Sequence, residues 1–249
     1  MKRNPLNLPT EKIELPSKGL IYPDTNLASL GFVEIIYPTA KEEDILTNSN
    51  YLAAGTAIDK FIDSILATDI DIKDLIPTDR EAIEIAARIL GIGQEYTTSV
   101  GDFPIPVTFN LSDFKEREID LTKFTKGLNE FEYQLDKDVL IKFKLPTGHD
   151  ADVIKKEAEG LKKINPDYEA GNSLLFRQII IEVNGDRTKA TINSFVDRLR
   201  MKHSKELYKY ISALTPGYTW KATGVFTKDG KQEKVEDLYV PFTPMFFWP

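Results

Sequence analysis

One short pattern occurs twice in the chain and limits how the chain can fold. The alternating run FVEII precedes Pro38-Thr39 and an acidic patch, and the run VLIKFK precedes Pro146-Thr147 and a second acidic patch. Proline disfavours continuation of the strand, and threonine can cap a helix because its side chain satisfies free backbone N–H groups. Acidic residues near a helix N-terminus are also favourable. The pattern therefore predicts a strand followed by a helix at two points in the chain.

Further matches favour an internal repeat. Asp44 and Asp152 occupy the same place relative to their Pro-Thr pairs, and Gly93 and Gly217 each lie between a helical pattern and a hairpin pattern. We predict an α+β fold with two structurally similar halves, each a short β-hairpin or strand, a helical cluster and a closing β-hairpin. The matching identities are sparse, so chance alignment remains the alternative.

The repeat gives a division of the chain into three segments. Residues 1–31 contain four prolines, which interrupt helices and central strands, so we predict an extended Pro-rich arm. Residues 32–128 form the first α+β repeat. Residues 129–249 form the second repeat, which ends in an aromatic tail.

Local periodicity predicts the elements within each repeat. Apolar residues at helical spacing predict two helices in the first repeat, the second capped by Asp79. In the second repeat, SLLFRQIIIEVNG reads as a helix, with a strand over IIIEV as the alternative. The predicted helices lie near 57–66, 79–91, 150–164, 173–183, 187–201 and 204–214, and the predicted hairpins near 95–114, 131–146 and 218–242.

Composition excludes several classes of protein. The 249 residues carry a net charge of −7, which disfavours nucleic acid as a partner because phosphate needs a basic face. No apolar run approaches the ~18 residues of a membrane span, and the N-terminus lacks the apolar core of a secretory signal, so we expect no membrane insertion. There is no cysteine, which excludes disulfides, thiolate catalysis and Cys-ligated metals. We expect no cofactor.

No catalytic motif stands out. His149 and His203 are the only histidines, and neither lies at a metal-ligand spacing. Glu42, Glu43 and Asp44 could bind a divalent cation, but three adjacent carboxylates in one helical turn point to different faces, and helix capping explains them. We predict neither catalytic nor metal residues. A hydrolase with an acidic carboxylate cleft is the alternative, because carboxylates are plentiful.

The two ends of the chain offer candidate partner-binding residues. Leu15, Pro16 and Tyr22 lie in the Pro-rich arm, and Phe246, Phe247 and Trp248 lie in the tail. Aromatic residues dominate binding hot spots, so these residues are candidates for contact with another protein. The alternative is that the tail packs on its own domain and closes the core.

Four segments together resemble the baseplate-hub and hub-assembly proteins of T4-type contractile-tailed bacteriophages. They are LPSKGLIYP, PTAKEEDIL, GTAIDKFIDSIL and FFWP, and the resemblance follows their order along nearly the whole chain. It implies a non-enzymatic role in tail morphogenesis through protein–protein interaction, as a chaperone-like assembly factor or a structural subunit of the hub.

The resemblance also implies partners, a location and the lack of a metal. The expected partners are other hub or tail proteins, met in the host cytoplasm during assembly, with the virion baseplate as a second location. Some members of this family carry Cys pairs in their hairpin loops that suggest zinc. The matching loops, 97–108 and 221–235, contain no cysteine, so the resemblance gives no metal site here.

Overall fold

A computed structural model describes residues 8–101, 105–169, 171–228, 230–241 and 244–248. Both helices and strands are present, which confirms the α+β prediction. The helices are α1 Ala40–Leu46, α2 Ser49–Ala53, α3 Ala57–Ile65, α4 Pro77–Gly91, α5 Gly148–Ile164, α6 Asn172–Ile179, α7 Lys189–Asp197 and α8 Met201–Leu214. The strands are β1 Thr10–Glu14, β2 Phe32–Ile36, β3 Glu95–Thr98, β4 Val107–Asn110, β5 Phe131–Asp136, β6 Val139–Phe143, β7 Ile180–Val183, β8 Lys221–Lys228 and β9 Lys231–Tyr239. Short 3-10 turns include Ile72–Asp74 and Pro244–Phe247.

The N-terminal segment joins the fold through a two-stranded sheet. Strand β1 pairs antiparallel with β2, from Thr10 opposite Ile36 to Glu14 opposite Phe32. The next residue, Leu15, donates its backbone N–H to the Gly31 carbonyl at 2.9 Å. The prediction of a strand at 32–36 is confirmed. The described part of the predicted arm belongs to the fold, because β1 pairs with β2 and because Leu15, Ile21, Tyr22 and Ala28 lie in the core.

The closing hairpins of the two halves form one four-stranded sheet in the order β3-β4-β8-β9. Both hairpins are confirmed, and they meet where Thr108 of β4 lies opposite Val225 of β8. Gly224 lies beside this junction, where a Cβ atom would clash with Val107 and Leu238. Asp102 and Asp229, which come between the paired strands in the sequence, lie outside the described residues.

The third sheet has the order β5-β6-β7 and corrects one sequence prediction. The helix predicted through IIIEV ends at Ile179, and Ile180–Val183 form a strand antiparallel to β6, so the strand alternative is confirmed. These β-branched residues bury Ile180 and Val183 against the sheet. Asn184 then turns the chain with a positive φ of 47°.

Two local features recur in both halves. Thr39 and Thr147 each begin a helix after a strand, and each backbone N–H donates at 3.0 Å to the carboxylate three residues on, in Glu42 and Asp150 respectively. Each pair forms a capping box, which confirms the two predicted threonine caps. In both halves a later helix returns the chain to the same strand: Leu66 forms a bridge with Ile35 after α3, and β7 pairs with β6 after α6. Superposition of the halves stays a prediction.

One helix start differs from the prediction. Helix α4 begins at Pro77, with Ile76 as its cap, so the assignment of Asp79 as the cap is wrong. Proline is favoured at the first helical position because its missing N–H needs no acceptor there. Asp79 instead lies inside the first turn, fully buried.

The core is one apolar cluster that draws on both halves. It includes Val33 and Phe61 from the first half and Phe143 and Leu207 from the second. Among the described residues, no helix has the length and apolar character needed to cross a membrane.

Candidate functional site

Helix α4 holds the N-terminal segment through a buried carboxylate. Asp79 accepts hydrogen bonds from the Ser17 backbone N–H at 2.9 Å, the Ser17 hydroxyl at 2.5 Å and the Tyr22 hydroxyl at 2.6 Å. The Tyr22 oxygen in turn accepts from the Ile76 N–H at 3.0 Å. Burial raises the pKa of Asp79 although these hydrogen bonds oppose the rise, and burial beside Asp79 raises the pKa of Tyr22.

This hydrogen-bond network explains why three predicted partner-binding residues are buried. Leu15, Pro16 and Tyr22 are all buried within the chain itself. They therefore present no surface to a partner in this structure, and the partner-binding interpretation is corrected for them. The physical reason is the carboxylate of Asp79, which lies 62 positions after Ser17 and draws the segment inward.

The other end of α4 holds the C-terminal tail. The Arg88 guanidinium donates to three backbone carbonyls: Phe246 at 2.8 Å, Gly93 at 2.8 Å and Glu95 at 3.0 Å. Desolvation lowers the pKa of Arg88. These bonds fix the tail, the end of the helix and the start of β3 to one side chain.

The aromatic residues of the tail divide between core and surface. The Phe246 ring lies 5.1 Å from the ring of Tyr96, and the Phe247 ring lies 5.2 Å from that of Phe61. Both phenylalanines are buried, so the alternative of a tail that packs on its own domain is confirmed for them, and the partner-binding interpretation is corrected. Trp248 is only half-buried.

Trp248 borders an open groove of about 670 Å³, here called the Trp248 groove. Its floor is apolar, and Ile92 on its edge is 45% exposed. A Cβ at Gly91 would lie 3.2 Å from the Pro38 ring, so the end of α4 packs closely on the Pro-Thr turn. The groove is lined by Pro38, Thr39, Ala40, Glu43, Leu46, Thr47, Phe61, Ala87, Gly91, Ile92, Phe247 and Trp248.

The residues that define the repeat have mainly structural roles. Thr39 and Thr147 cap helices, and Pro38 and Pro146 directly precede them. Asp152 forms an ion pair with Lys73 of the first half, which lowers the pKa of Asp152, whereas Asp44 is exposed on α1. Gly93 and Gly217 both follow a helix with positive φ, 129° and 156°, and Gly217 packs against Thr78.

The acidic residues Glu42, Glu43 and Asp44 lie near the N-terminus of α1, where Glu42 takes part in capping the helix. Glu42 is 3% exposed, and its carboxylate accepts hydrogen bonds from both the backbone N–H and the hydroxyl of Thr39. Glu43 and Asp44 are exposed. Throughout the described part of the chain, no group of three or more His, Cys, Asp or Glu side chains is placed to hold a metal ion.

A second cavity, the acidic cleft, lies where α5 meets the Ile72–Asp74 turn and measures about 1150 Å³. His149 Nε2 lies there, 3.2 Å from Asp74 Oδ1 and 3.7 Å from Asp71 Oδ2. This site was not predicted from the sequence, because His149 comes from the other half of the chain. The closely spaced aspartates of TDIDIKD were the one feature of the sequence that indicated an acidic site. His203 is half-buried in α8 and does not line this cleft. The cleft's acidic side chains are Asp59, Asp63, Asp69, Asp71 and Asp74.

Comparison of the chain with protein-family descriptions, with curated proteins and with solved structures finds no match in any of the three.

Proposed function

We propose that this chain is a non-enzymatic protein of phage tail morphogenesis, a baseplate-hub assembly factor or a structural subunit of the hub. It acts by binding other hub or tail proteins in the host cytoplasm. The proposal is supported by the position of the four segments that carry the resemblance. Three of them, in α1, in α3 and at the tail, border the Trp248 groove. The fourth, residues 15–23, is bound to α4.

The contact that we assign to the partner is centred on Trp248. Its half-buried ring lies at the edge of an apolar groove, beside the exposed Ile92. A partner side chain in the groove would bury both residues and the floor formed by Phe61 and Ala87. Large aromatic residues in such positions carry much of the binding energy of protein interfaces. The partner is a hub or tail protein that presents an apolar side chain.

The test is a pull-down from infected cells with the tagged chain, with the captured proteins identified by mass spectrometry. Trp248→Ala should abolish capture of hub proteins. Tyr239→Ala is the matched control, because Tyr239 is 62% exposed on β9 and lies outside the groove. Capture of hub proteins that is equal for both variants, or absent for the unaltered chain, contradicts the proposal.

The same proteomics distinguishes the two roles. A structural subunit is found in purified virions at constant stoichiometry with other hub proteins. An assembly factor is captured with hub proteins from infected cells and is absent from the virion.

The acidic cleft favours one second candidate, a hydrolase that uses carboxylates. Asp59 in the cleft forms an ion pair with Arg80 at 2.6 Å, and Asp74 contacts His149. Glycoside hydrolases use two carboxyl groups on either side of the scissile bond. If this candidate is correct, the purified chain hydrolyses at least one member of a panel of glycan substrates, and Asp71→Asn or Asp74→Asn abolishes turnover. Lack of turnover by the unaltered chain rejects it.

A further inference from the structure

The residues just before α8 and the solvent side of α8 are strongly basic, although the whole chain is acidic. Residues 198–209 contain five Lys or Arg residues and one Glu, whereas the chain carries a net charge of −7. Leu207, Ile211 and Leu214 pack into the core, so the opposite side of the helix faces solvent. The exposed cations are Arg198, Arg200, Lys202, Lys205 and Lys209, which together with Met201 and Tyr208 are here called the α8 face.

Most of this charge is not neutralised within the chain. Lys202 lies 3.9 Å from Glu206, and Arg198 donates to the Ser194 carbonyl and hydroxyl. Among the residues that the structure describes, no carboxylate lies within 4.0 Å of the charged groups of Arg200, Lys205 or Lys209. Unpaired cations give a surface a positive potential that attracts a partner of opposite charge, so this face is suited to carboxylates from outside the chain.

Apolar side chains lie among these cations. Met201 is 74% exposed and Tyr208 is 48% exposed. Tyr208 and Lys209 form one wall of an open groove of about 810 Å³, and residues 115–118 form the other. That second wall is fixed in place, because Arg117 N–H donates to the Gly217 carbonyl at 2.8 Å and Thr219 N–H donates to the Lys115 carbonyl at 2.8 Å.

We propose that the α8 face binds an acidic protein segment that carries an aromatic or large apolar residue. Carboxylates of the segment pair with Lys205 and Lys209, and its apolar residue packs on Tyr208. The net charge of −7 on the chain disfavours binding of a long polyanion such as nucleic acid, which favours a short acidic peptide. This surface shares no residue with the Trp248 groove, so the inference does not depend on the phage proposal.

The experiment measures binding of the full chain to a fluorescent glutamate–tyrosine copolymer, with polyglutamate, single-stranded DNA and heparin as comparison ligands. The copolymer should bind more tightly than polyglutamate, and binding should weaken with salt because exposed charges are screened. K205E/K209E should weaken binding about tenfold or more, since each lost pair becomes a repulsion. K155E/K162E on α5 makes the same change in charge at exposed lysines elsewhere and should leave binding unchanged. Tyr208→Ala should remove the preference for the copolymer over polyglutamate.

Several results would overturn the inference. Equal copolymer binding by K205E/K209E and K155E/K162E would place the interaction elsewhere, and lack of copolymer binding would reject it outright. Tighter binding of DNA or heparin, lost in K205E/K209E, would assign the face to nucleic acid or another polyanion. Self-association of the chain alone, lost in the same variant, would assign it to a second copy. Circular dichroism of each variant establishes that it is folded.

Discussion

The guanidinium of Arg88 donates a hydrogen bond to the carbonyl oxygen of Phe246, which lies 158 positions further along the chain. The same guanidinium also reaches the carbonyls of Gly93 and Glu95, so it links the tail to the end of α4 and the start of β3. Asp79, in the first turn of α4, accepts a hydrogen bond from Ser17, so opposite ends of one helix hold two segments that are far apart in sequence.

Arg88→Ala should destabilise the protein by about 2–4 kcal/mol, because three backbone carbonyls lose their donor in a buried place. Arg88→Lys should recover only part of the loss, since an ammonium lacks the planar fork that reaches several carbonyls at once. Urea unfolding measures both. Arg200→Ala, at an exposed site, should stay within about 0.5 kcal/mol of the unaltered chain. Equal stability of the Arg88 and Arg200 variants would show that the three hydrogen bonds from Arg88 do not stabilise the protein.

Removal of residues 245–249 should lower the melting temperature of the isolated chain, because Phe246 and Phe247 fill the core. Phe246→Ala should cost about 3–5 kcal/mol, the usual range for a buried phenylalanine. Trp248→Ala should cost less than half as much, since its side chain remains partly in solvent. Thermal and urea unfolding of the three variants give the comparison. A larger loss for Trp248 than for Phe246 would contradict this division of the tail.

Local sequence patterns predicted the elements more successfully than the site. Thr39 and Thr147 were identified as caps because capping depends on neighbours within one turn. The burial of Leu15 and Tyr22 was missed because it depends on Asp79, a residue distant in sequence. The acidic cleft was missed for the same reason, since His149 and Asp74 come from different halves. The helix predicted from apolar periodicity was extended too far at Ile180, where β-branched residues pair with β6 instead.

Asp79 should make stability depend on pH in a defined direction. Burial raises its folded pKa above the ordinary value of about 3.9, so between these two pKa values the folded state binds more protons than the unfolded state. The contribution of Asp79 to stability is therefore fully present below the unfolded pKa and falls as pH rises through the folded pKa. Asp79→Asn removes this dependence.

Urea unfolding of the unaltered chain and of Asp79→Asn, measured from pH 3 to pH 8, tests the sign. The stability of the unaltered chain relative to the variant should decline with rising pH and then level off. Asp167→Asn, at an exposed aspartate outside this network, serves as the control for general changes in charge. A relative stability that increases with pH would mean that the hydrogen bonds from Ser17 and Tyr22 outweigh the cost of burial.

Gly148→Ala should weaken the contact between the two halves. Gly148 begins α5, its N–H donates to the Leu75 carbonyl at 3.0 Å, and a Cβ added there would lie 2.8 Å from Lys73 Cα. Since backbone atoms cannot move aside easily, we expect a loss of about 1–3 kcal/mol. Gly160→Ala is the matched control in the same helix, because a Cβ there meets nothing within 4 Å and alanine should stabilise the helix by about 0.5–1 kcal/mol. Urea unfolding that shows the same change for both substitutions would mean that α5 does not pack on the first half through Gly148.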